Sequence, residues 1–542
     1  MKRILLLTFF SSFISLSQVT LTESNLPIVV ITTQVGEVIT DDPRIICHMG
    51  IIDNGFGNTN FITDPYNDYD GSISIEIRGS TSQQYDKKSY GIETQDAFGS
   101  NLNVSILGMP SENDWILYGP YPDKTCIRDA LTFHLFNAMG HYASRTVYCE
   151  VIINGQYMGL YIFMEKMKRD GDRIDISKLD SLDINGDQLS GGYVIKVDKT
   201  TGSVVETWPS AYNAEVNFQY HDPAPEDLLL VQKTYIQSYI SDFEDALYGP
   251  NFNDQSLGYH TIINKISFYD FFIMQELGRT VDGYRSSSFL YKDKTSLWGG
   301  LLNAGPIWDF NLSYGNADYC DANLTTGWQY EFDLICPWFT SSVPFWWGRL
   351  LEDQDYCDGL KCRWEMLREG PLHLDSLHNY IDSVALYIED ARIRNFTQWP
   401  IIGVYVNWNG FVGMTYEEDL DYLKTYIDTR IAWMDANLPG NCYPGLAEQE
   451  EIEQPEVLSR AWPNPFSDFI FIGYTTKEQG QVRIQIHDMV GKVIADFDLG
   501  NLPPGNYIKE WNSIEIPSGM YLYSIYVNDE MIVQDKIIRG VK

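Results

Sequence analysis

Short β-branched and aromatic runs fill the chain from Leu26 to about Leu179, and beyond Pro225 the apolar residues fall instead at helical spacing. This switch constrains the fold more than any other feature, because runs of strands followed by runs of helices define an α+β domain. Residues 28–32, 72–78, 89–94, 147–153 and 159–164 read as strands bounded by Gly, Asn and Asp. Asn154-Gly155 between the last two predicts a hairpin turn. Residues 129–139, apolar at Leu131, Leu135 and Met139 and closed by Gly140, predict one helix inside the strand-rich half. Residues 225–248, 261–277, 374–392 and 416–438 predict further helices, with strands at 287–292 and 300–304 among them.

Both ends carry separate signals. Met1, Lys2 and Arg3 precede an apolar run from Ile4 to about Leu16, the layout of a signal peptide over residues 1–18. A transmembrane anchor needs ~20 apolar residues, more than this run supplies, and no later stretch is long enough to span a bilayer. The main domain is expected over residues 26–444. An acidic, Pro-containing linker follows at 445–456, where Ala447 to Glu456 read AEQEEIEQPE. Short strands separated by Gly and Pro turns then predict a small all-β sandwich over 457–542.

Charge narrows the partners. The 74 Asp and Glu against 38 Lys and Arg leave a net charge of -36, which repels phosphate backbones and anionic lipid. Nucleic acid is therefore an unsuitable partner, and a polyanionic substrate needs a local cationic pocket or metal ions. The 8 Cys show no metal-site spacing, so structural thiols or a few bridges are expected. Cys320 with Cys336 and Cys357 with Cys362 are the nearest-neighbour pairs, although spacing does not settle connectivity.

Three segments set charged residues among apolar neighbours, where an unpaired charge is costly. In the first, Arg78-Gly79-Ser80 leads to Lys87-Lys88-Ser89-Tyr90; a small-residue loop entering a lysine-bearing strand can cradle phosphates, or can be an ordinary polar hairpin. In the second, Glu165 closes a strand, where it can fix a phosphate-binding lysine as an ion pair or sit as a surface charge; Lys196 is a weaker candidate. The third sets Asp282, in Thr280-Val281-Asp282-Gly283-Tyr284-Arg285, against Ile307-Trp308-Asp309-Phe310-Asn311. Phosphoryl transfer requires one carboxylate to accept a proton and another to hold Mg²⁺. Asp282 and Asp309 suit those roles, Asn311 can add an oxygen ligand, and Trp308 offers an aromatic face to a base or to the core.

These segments, in this order and with Asp123-Lys124-Thr125, Arg128-Asp129-Ala130-Leu131 and Asn154 to Gly159, resemble the CotH kinase family of atypical protein kinases over roughly residues 26–440. The resemblance implies a kinase-like fold, ATP and Mg²⁺ or Mn²⁺ as cofactors, and transfer of the γ-phosphoryl group to Ser or Thr of a protein. It makes Asp282 the catalytic aspartate and Asp309 the metal ligand, with Arg78, Lys87, Lys88, Glu165 and Trp308 around the nucleotide. Many relatives place a second acidic residue after the tryptophan-aspartate pair, where this chain has Asn311, a weaker metal ligand. The C-terminal motifs Ala461-Trp462-Pro463-Asn464-Pro465-Phe466, Val490-Gly491-Lys492-Val493, Leu502 to Tyr507 and Pro517 to Tyr521 are similar to the type A sorting domain of type IX secretion in Bacteroidetes. That likeness implies the type IX machinery as a partner and a secreted or outer-membrane surface destination. A non-catalytic surface binding protein or adhesin on the same fold is the competing expectation, and a glycan-active enzyme a third.

Overall fold

The computed structural model describes residues 19–199, 206–296, 300–442, 459–462 and 469–539, the last stretch with breaks at 477–478, 489–491, 503–504, 513–515, 518 and 529. The signal-peptide stretch, the acidic linker and Pro463 to Phe466 of the C-terminal motif lie outside the described residues. Two units separate, Met1–Cys442 and Tyr443–Lys542.

Alternation of apolar residues closes the first half into a barrel. Its order is Thr146–Ile153, Gln156–Glu165, Asp114–Tyr118, Ser89–Gln95, Tyr69–Arg78, Ile45–Ile52 and Ile28–Thr32, and Ile28–Thr32 pairs in parallel with Thr146–Ile153 to shut it. Met49 and Ile51, Ile73 and Ile75, Trp115 and Leu117, and Tyr161 and Phe163 fall two apart and share one core cluster, as the period of a strand requires. The intervening Ile116, Leu160, Ile162 and Met164 join a second cluster that includes Leu131 and Leu135 of the helix Arg128–Ala138. Closure leaves the barrel no open strand edge. The predicted hairpin turn carries positive φ at Asn154 (51°) and Gly155 (76°), the backbone of a type I′ turn.

A second, antiparallel sheet runs Thr207–Pro209, Asn217–Asp222, Tyr193–Val197, Ser288–Lys292, Leu302–Ala304. Helices pack with it, among them Leu230–Tyr248, Lys265–Gly278, Gln354–Arg368 and Tyr416–Asn437. Every residue from Ser267 to Gly278 is buried, which makes Lys265–Gly278 the central helix of this half. Its two buried acids are paired: Asp270 accepts from Arg363 Nε at 2.8 Å and Glu276 from Arg430 Nη2 at 3.1 Å. The single helix expected over 374–392 is two, Leu374–Tyr387 and Glu389–Gln398, separated at Ile388. Gln354–Arg368 is a helix that the sequence pattern does not predict.

Cys320 and Cys336 form a disulfide. Cys362, however, bridges to Cys442 across 80 residues, and Cys357 is a buried free thiol. The nearest-neighbour expectation fails there because Cys362 lies on a helix that folds back against the end of the unit, where a distant residue is the close one.

In the C-terminal unit a three-stranded sheet (Ser459–Trp462, Phe469–Thr476, Gly505–Asn512) and a four-stranded sheet (Gly480–Asp488, Val493–Leu502, Gly519–Val527, Glu530–Arg539) share one core. Ile470, Ile472 and Trp511 of the first meet Ile484, Ile486, Tyr523 and Ile525 of the second. This is the expected all-β sandwich. Among the described residues no helix is long and apolar enough to cross a membrane.

Candidate functional site

Two loops bring the predicted aspartates together. The first follows the central helix, which ends at Gly278 with Arg279 in the left-handed region (φ 44°). Ser286 N donates to Asp282 O at 2.9 Å, and Arg285 Nη2 donates to Asp282 Oδ1 at 3.1 Å. Arg285 is itself held by its Nε bond to Val281 O at 2.9 Å and by the rings of Phe332 and Phe339 beneath its guanidinium. Asp282 keeps its side chain 28% exposed and so open to solvent.

The second loop leaves the strand Leu302–Ala304. The N-terminal turn of the helix Arg128–Ala138 holds it: Phe310 N donates to Asp129 Oδ1 at 2.7 Å, and Arg128 Nε donates to Ser313 O at 3.1 Å. Asp309 adopts φ 67°, a conformation that costs most residues about 1 kcal/mol or more but which aspartate tolerates. Tyr284, Ser287 and Tyr314 also have positive φ, so strained backbone gathers on the two aspartate loops.

The electrostatics make the proximity explicit. Burial first, and the neighbouring Asp282 charge second, push the Asp309 carboxyl up to about 6, while Lys199 pulls it down. Asp129 is pushed up to about 7 by burial and then by the Asp309 charge, while Phe310 N and the Tyr118 hydroxyl draw it down. Burial draws the Arg78 guanidinium down to about 10, with Asp309 and Glu76 opposing. Burial and then Asp309 raise the Tyr85 hydroxyl to about 12. The loop after the strand Tyr69–Arg78 therefore faces Asp309. Gly79 (φ 107°) suits that loop because L side chains rarely adopt this backbone conformation.

Asn311 Nδ2 donates to Asp309 Oδ1 at 2.8 Å, so its amide orients the carboxylate. Trp308 stacks on Phe133 with ring centroids 5.6 Å apart and carries the Arg78 guanidinium 5.5 Å from its ring. Its ring thus helps position Arg78, and the expectation of a bare platform for a base gives way to packing. Lys196 Nζ lies 2.7 Å from Asp198 Oδ2, beside the exit of the Asp282 loop, where Ser287 N approaches Asp198 Oδ1 at 3.4 Å. Asp129, Asp198, Lys199 and Tyr85 join the site without a predicted role; the Arg128-Asp129 motif is the available sequence signal for the first.

Three expected members stand apart. Lys87 is 2% exposed; its ammonium donates to Leu160 O and, at 2.8 Å, to Asn395 Oδ1, tying the barrel wall to the helix Glu389–Gln398. Burial draws it down to about 8. Lys88 folds back on the loop and donates to Gln83 O at 2.8 Å. Glu165, fully buried, accepts from Arg145 Nη1 at 2.7 Å and Arg145 N at 3.0 Å; burial demands a partner for this carboxylate, and the adjacent strand start supplies it without either lysine. Lys87→Met is accordingly expected to lower stability by about 1–3 kcal/mol through the two acceptors it abandons, leaving nucleotide affinity unchanged. Melting curves and a nucleotide titration check this, and a large loss of affinity would return Lys87 to the phosphates.

A barrel, a second sheet and a central buried helix, with carboxylates and cations converging from a barrel-rim loop and two strand-bounded loops, define an α+β protein built around one polar site. The chain belongs to the CotH kinase protein family, whose model matches residues 75–434. Residues 460–539 match the secretion system C-terminal sorting domain, which implies type IX sorting and export to the surface or beyond. No curated protein matches the chain. Among solved structures, the Helicobacter pylori proinflammatory kinase CtkA is similar at 11% identity and TM-score 0.26, covering 64% of this chain and 94% of that one. The Pseudomonas fluorescens alkylpurine DNA glycosylase AlkC, bound to DNA containing an abasic site analog, is similar at 13% identity and TM-score 0.13, covering 38% of this chain and 56% of that one. Likenesses with TM-scores this low say nothing about what the site does.

Proposed function

We propose that the protein is an exported phosphotransferase that moves the γ-phosphoryl group of ATP to a Ser or Thr hydroxyl of a surface or secreted protein. One observation carries the reading: Asp282 and Asp309 share a site in which burial and mutual repulsion hold the Asp309 carboxyl at about 6, a conflict that a divalent cation relieves. The donor set fits Mg²⁺ or Mn²⁺, which take one or two carboxylates and complete their shell with water and phosphate oxygens. Asp309 would hold the ion beside Asp282, and the Asn311 carbonyl joins it when its amide turns over. Bound there, the cation supplies neutralisation of phosphate charge.

The chain's own residues do the rest. Arg78 and Lys199 bring positive charge to Asp309's surroundings and bind the polyanion against the net charge of -36. Asp282, oriented by Arg285 and partly exposed, accepts the proton of the acceptor hydroxyl. The withdrawal of Lys87, Lys88 and Glu165 into structural contacts favours one second reading, a non-catalytic surface binding protein on the same fold. Incubation of the protein with γ-labelled ATP and Mg²⁺ or Mn²⁺ separates them. Label reaching the chain itself or an added acceptor protein, and lost in Asp309→Asn, supports transfer; nucleotide binding with no label moved supports the binding protein.

A further inference from the structure

A second cluster of ligating side chains lies where the short 3₁₀ turn Tyr259–Thr261 meets the N-terminus of the helix Gln354–Arg368. His260, Asp353 and Asp355 place one ligand atom each within 4.8 Å of one another. His260 Nε2 stands 3.3 Å from Asp353 Oδ2 and 3.4 Å from the Gln255 amide nitrogen, and that nitrogen stands 3.3 Å from Asp355 Oδ2. These separations are long for hydrogen bonds. They match the edges of a tetrahedron, roughly 3.3–3.4 Å when each ligand sits 2.0–2.1 Å from a central zinc. The Gln255 amide presents oxygen in place of nitrogen after a half-turn.

A second observation points the same way. The His260 side chain is 3% exposed, and the ring nitrogen it turns to the cluster, Nε2, has only the long contacts above. A buried imidazole is seldom left so poorly satisfied. The surroundings already orient the other donors: Tyr259 Oη donates to Asp353 Oδ2 at 2.7 Å, and Asp353 Oδ1 accepts from Asp355 N at 3.1 Å. Asp254 Oδ1 accepts from Ser256 N at 2.9 Å and Leu257 N at 3.0 Å, shaping the loop that presents Gln255. Asp355 is 46% exposed and gives an ion a way in. Lys265 Nζ, 3.4 Å from Asp355 Oδ2, shares that carboxylate and competes with a cation for it.

We infer that His260, Asp353, Asp355 and Gln255 form a zinc site, separate from the Asp282 and Asp309 loops, that ties the 251–261 segment to the helix Gln354–Arg368. An imidazole with two carboxylates and an amide oxygen selects a borderline cation such as Zn²⁺, whereas an all-oxygen site with phosphates suits Mg²⁺. The full chain, stripped with chelator and carrying Asp309→Asn to silence the other carboxylate site, is titrated with Zn²⁺ by calorimetry and by thermal melting. One equivalent should bind and raise the melting temperature. His260→Gln should weaken binding by about tenfold or more, as should Asp355→Asn, whose exposed side chain leaves folding intact. Failure of the chain to take up zinc, or Asp355→Asn binding as tightly as its parent, overturns the assignment.

Discussion

The Asp309→Asn variant is expected to lose phosphoryl transfer by about a thousandfold or more, roughly 4 kcal/mol of transition-state stabilisation, while melting at a higher temperature than the wild type in metal-free buffer at pH 7. The opposite signs follow from one cause. The folded Asp309 carboxyl sits at about 6, above its ordinary value of 3.8, so the folded state holds this proton more tightly than the unfolded chain does. Its ionisation therefore costs stability, a cost absent below pH 4, growing as pH rises towards 6 and complete above it. Asparagine removes that cost, on the order of 3 kcal/mol, and also relieves Asp129, whose carboxyl the Asp309 charge helps to raise. The wild type should show the matching profile, losing stability between about pH 4 and pH 6 without divalent ions, a loss that Asp309→Asn reduces. Transfer assays and melting curves on the two proteins check both signs together. A merely structural Asp309 would give a variant that melts lower.

Arg430→Ala is expected to cost about 3–5 kcal/mol of stability, the usual penalty for stranding a buried charge. Arg430 and Glu276 are both fully buried and joined at 3.1 Å. The Arg430 Nε also donates to Glu276 O at 2.8 Å, and its Nη1 to Gly327 O at 2.7 Å. Glu276 accepts in addition from Gln329 N at 2.7 Å, Tyr330 N at 3.0 Å and Tyr284 Oη at 2.9 Å. Burial raises the Glu276 carboxyl, and Arg430 is the first of the groups that hold it down. Because Tyr284 stands two residues beyond Asp282, the network also anchors the Asp282 loop to the central helix. Denaturant titration measures the stability loss. Arg430→Met with Glu276→Gln, which removes both charges, should recover part of it, since no unpaired ion then remains.

How much can be read from the chain depends on the range of the contacts involved. Ile28–Thr32 is legible because its run of Ile and Val is bounded and short, whereas Ile45–Ile52 passes through Cys47, His48 and Gly50, which dilute the strand signal. Residues 374–392 keep their apolar spacing across Ile388, so periodicity shows one helix where the backbone makes two. Gln354–Arg368 carries six charged residues among its fifteen, and its apolar face is hidden for that reason. At the site, Asp282, Asp309, Asn311 and Arg78 are legible as charged or polar residues set in apolar surroundings. Which side of a strand a charge leaves from is not: Arg78 and Lys87 flank one loop, yet the first reaches Asp309 and the second turns to Asn395, a residue 308 positions away. The Cys362–Cys442 bridge and the Arg145–Glu165 pair likewise depend on tertiary neighbours that spacing does not encode.

At the centre of the proposed mechanism, Asp309 holds a divalent ion beside the proton-accepting Asp282. Crystals of the protein grown with Mn²⁺ and a non-hydrolysable ATP analogue test this through the anomalous signal of manganese. The expected result is a peak bonded to Asp309, beside Asp282, with nucleotide phosphate oxygens completing its shell, and no such peak in crystals of Asp309→Asn. Nucleotide bound elsewhere, or manganese absent from Asp309 in the wild type, would contradict it.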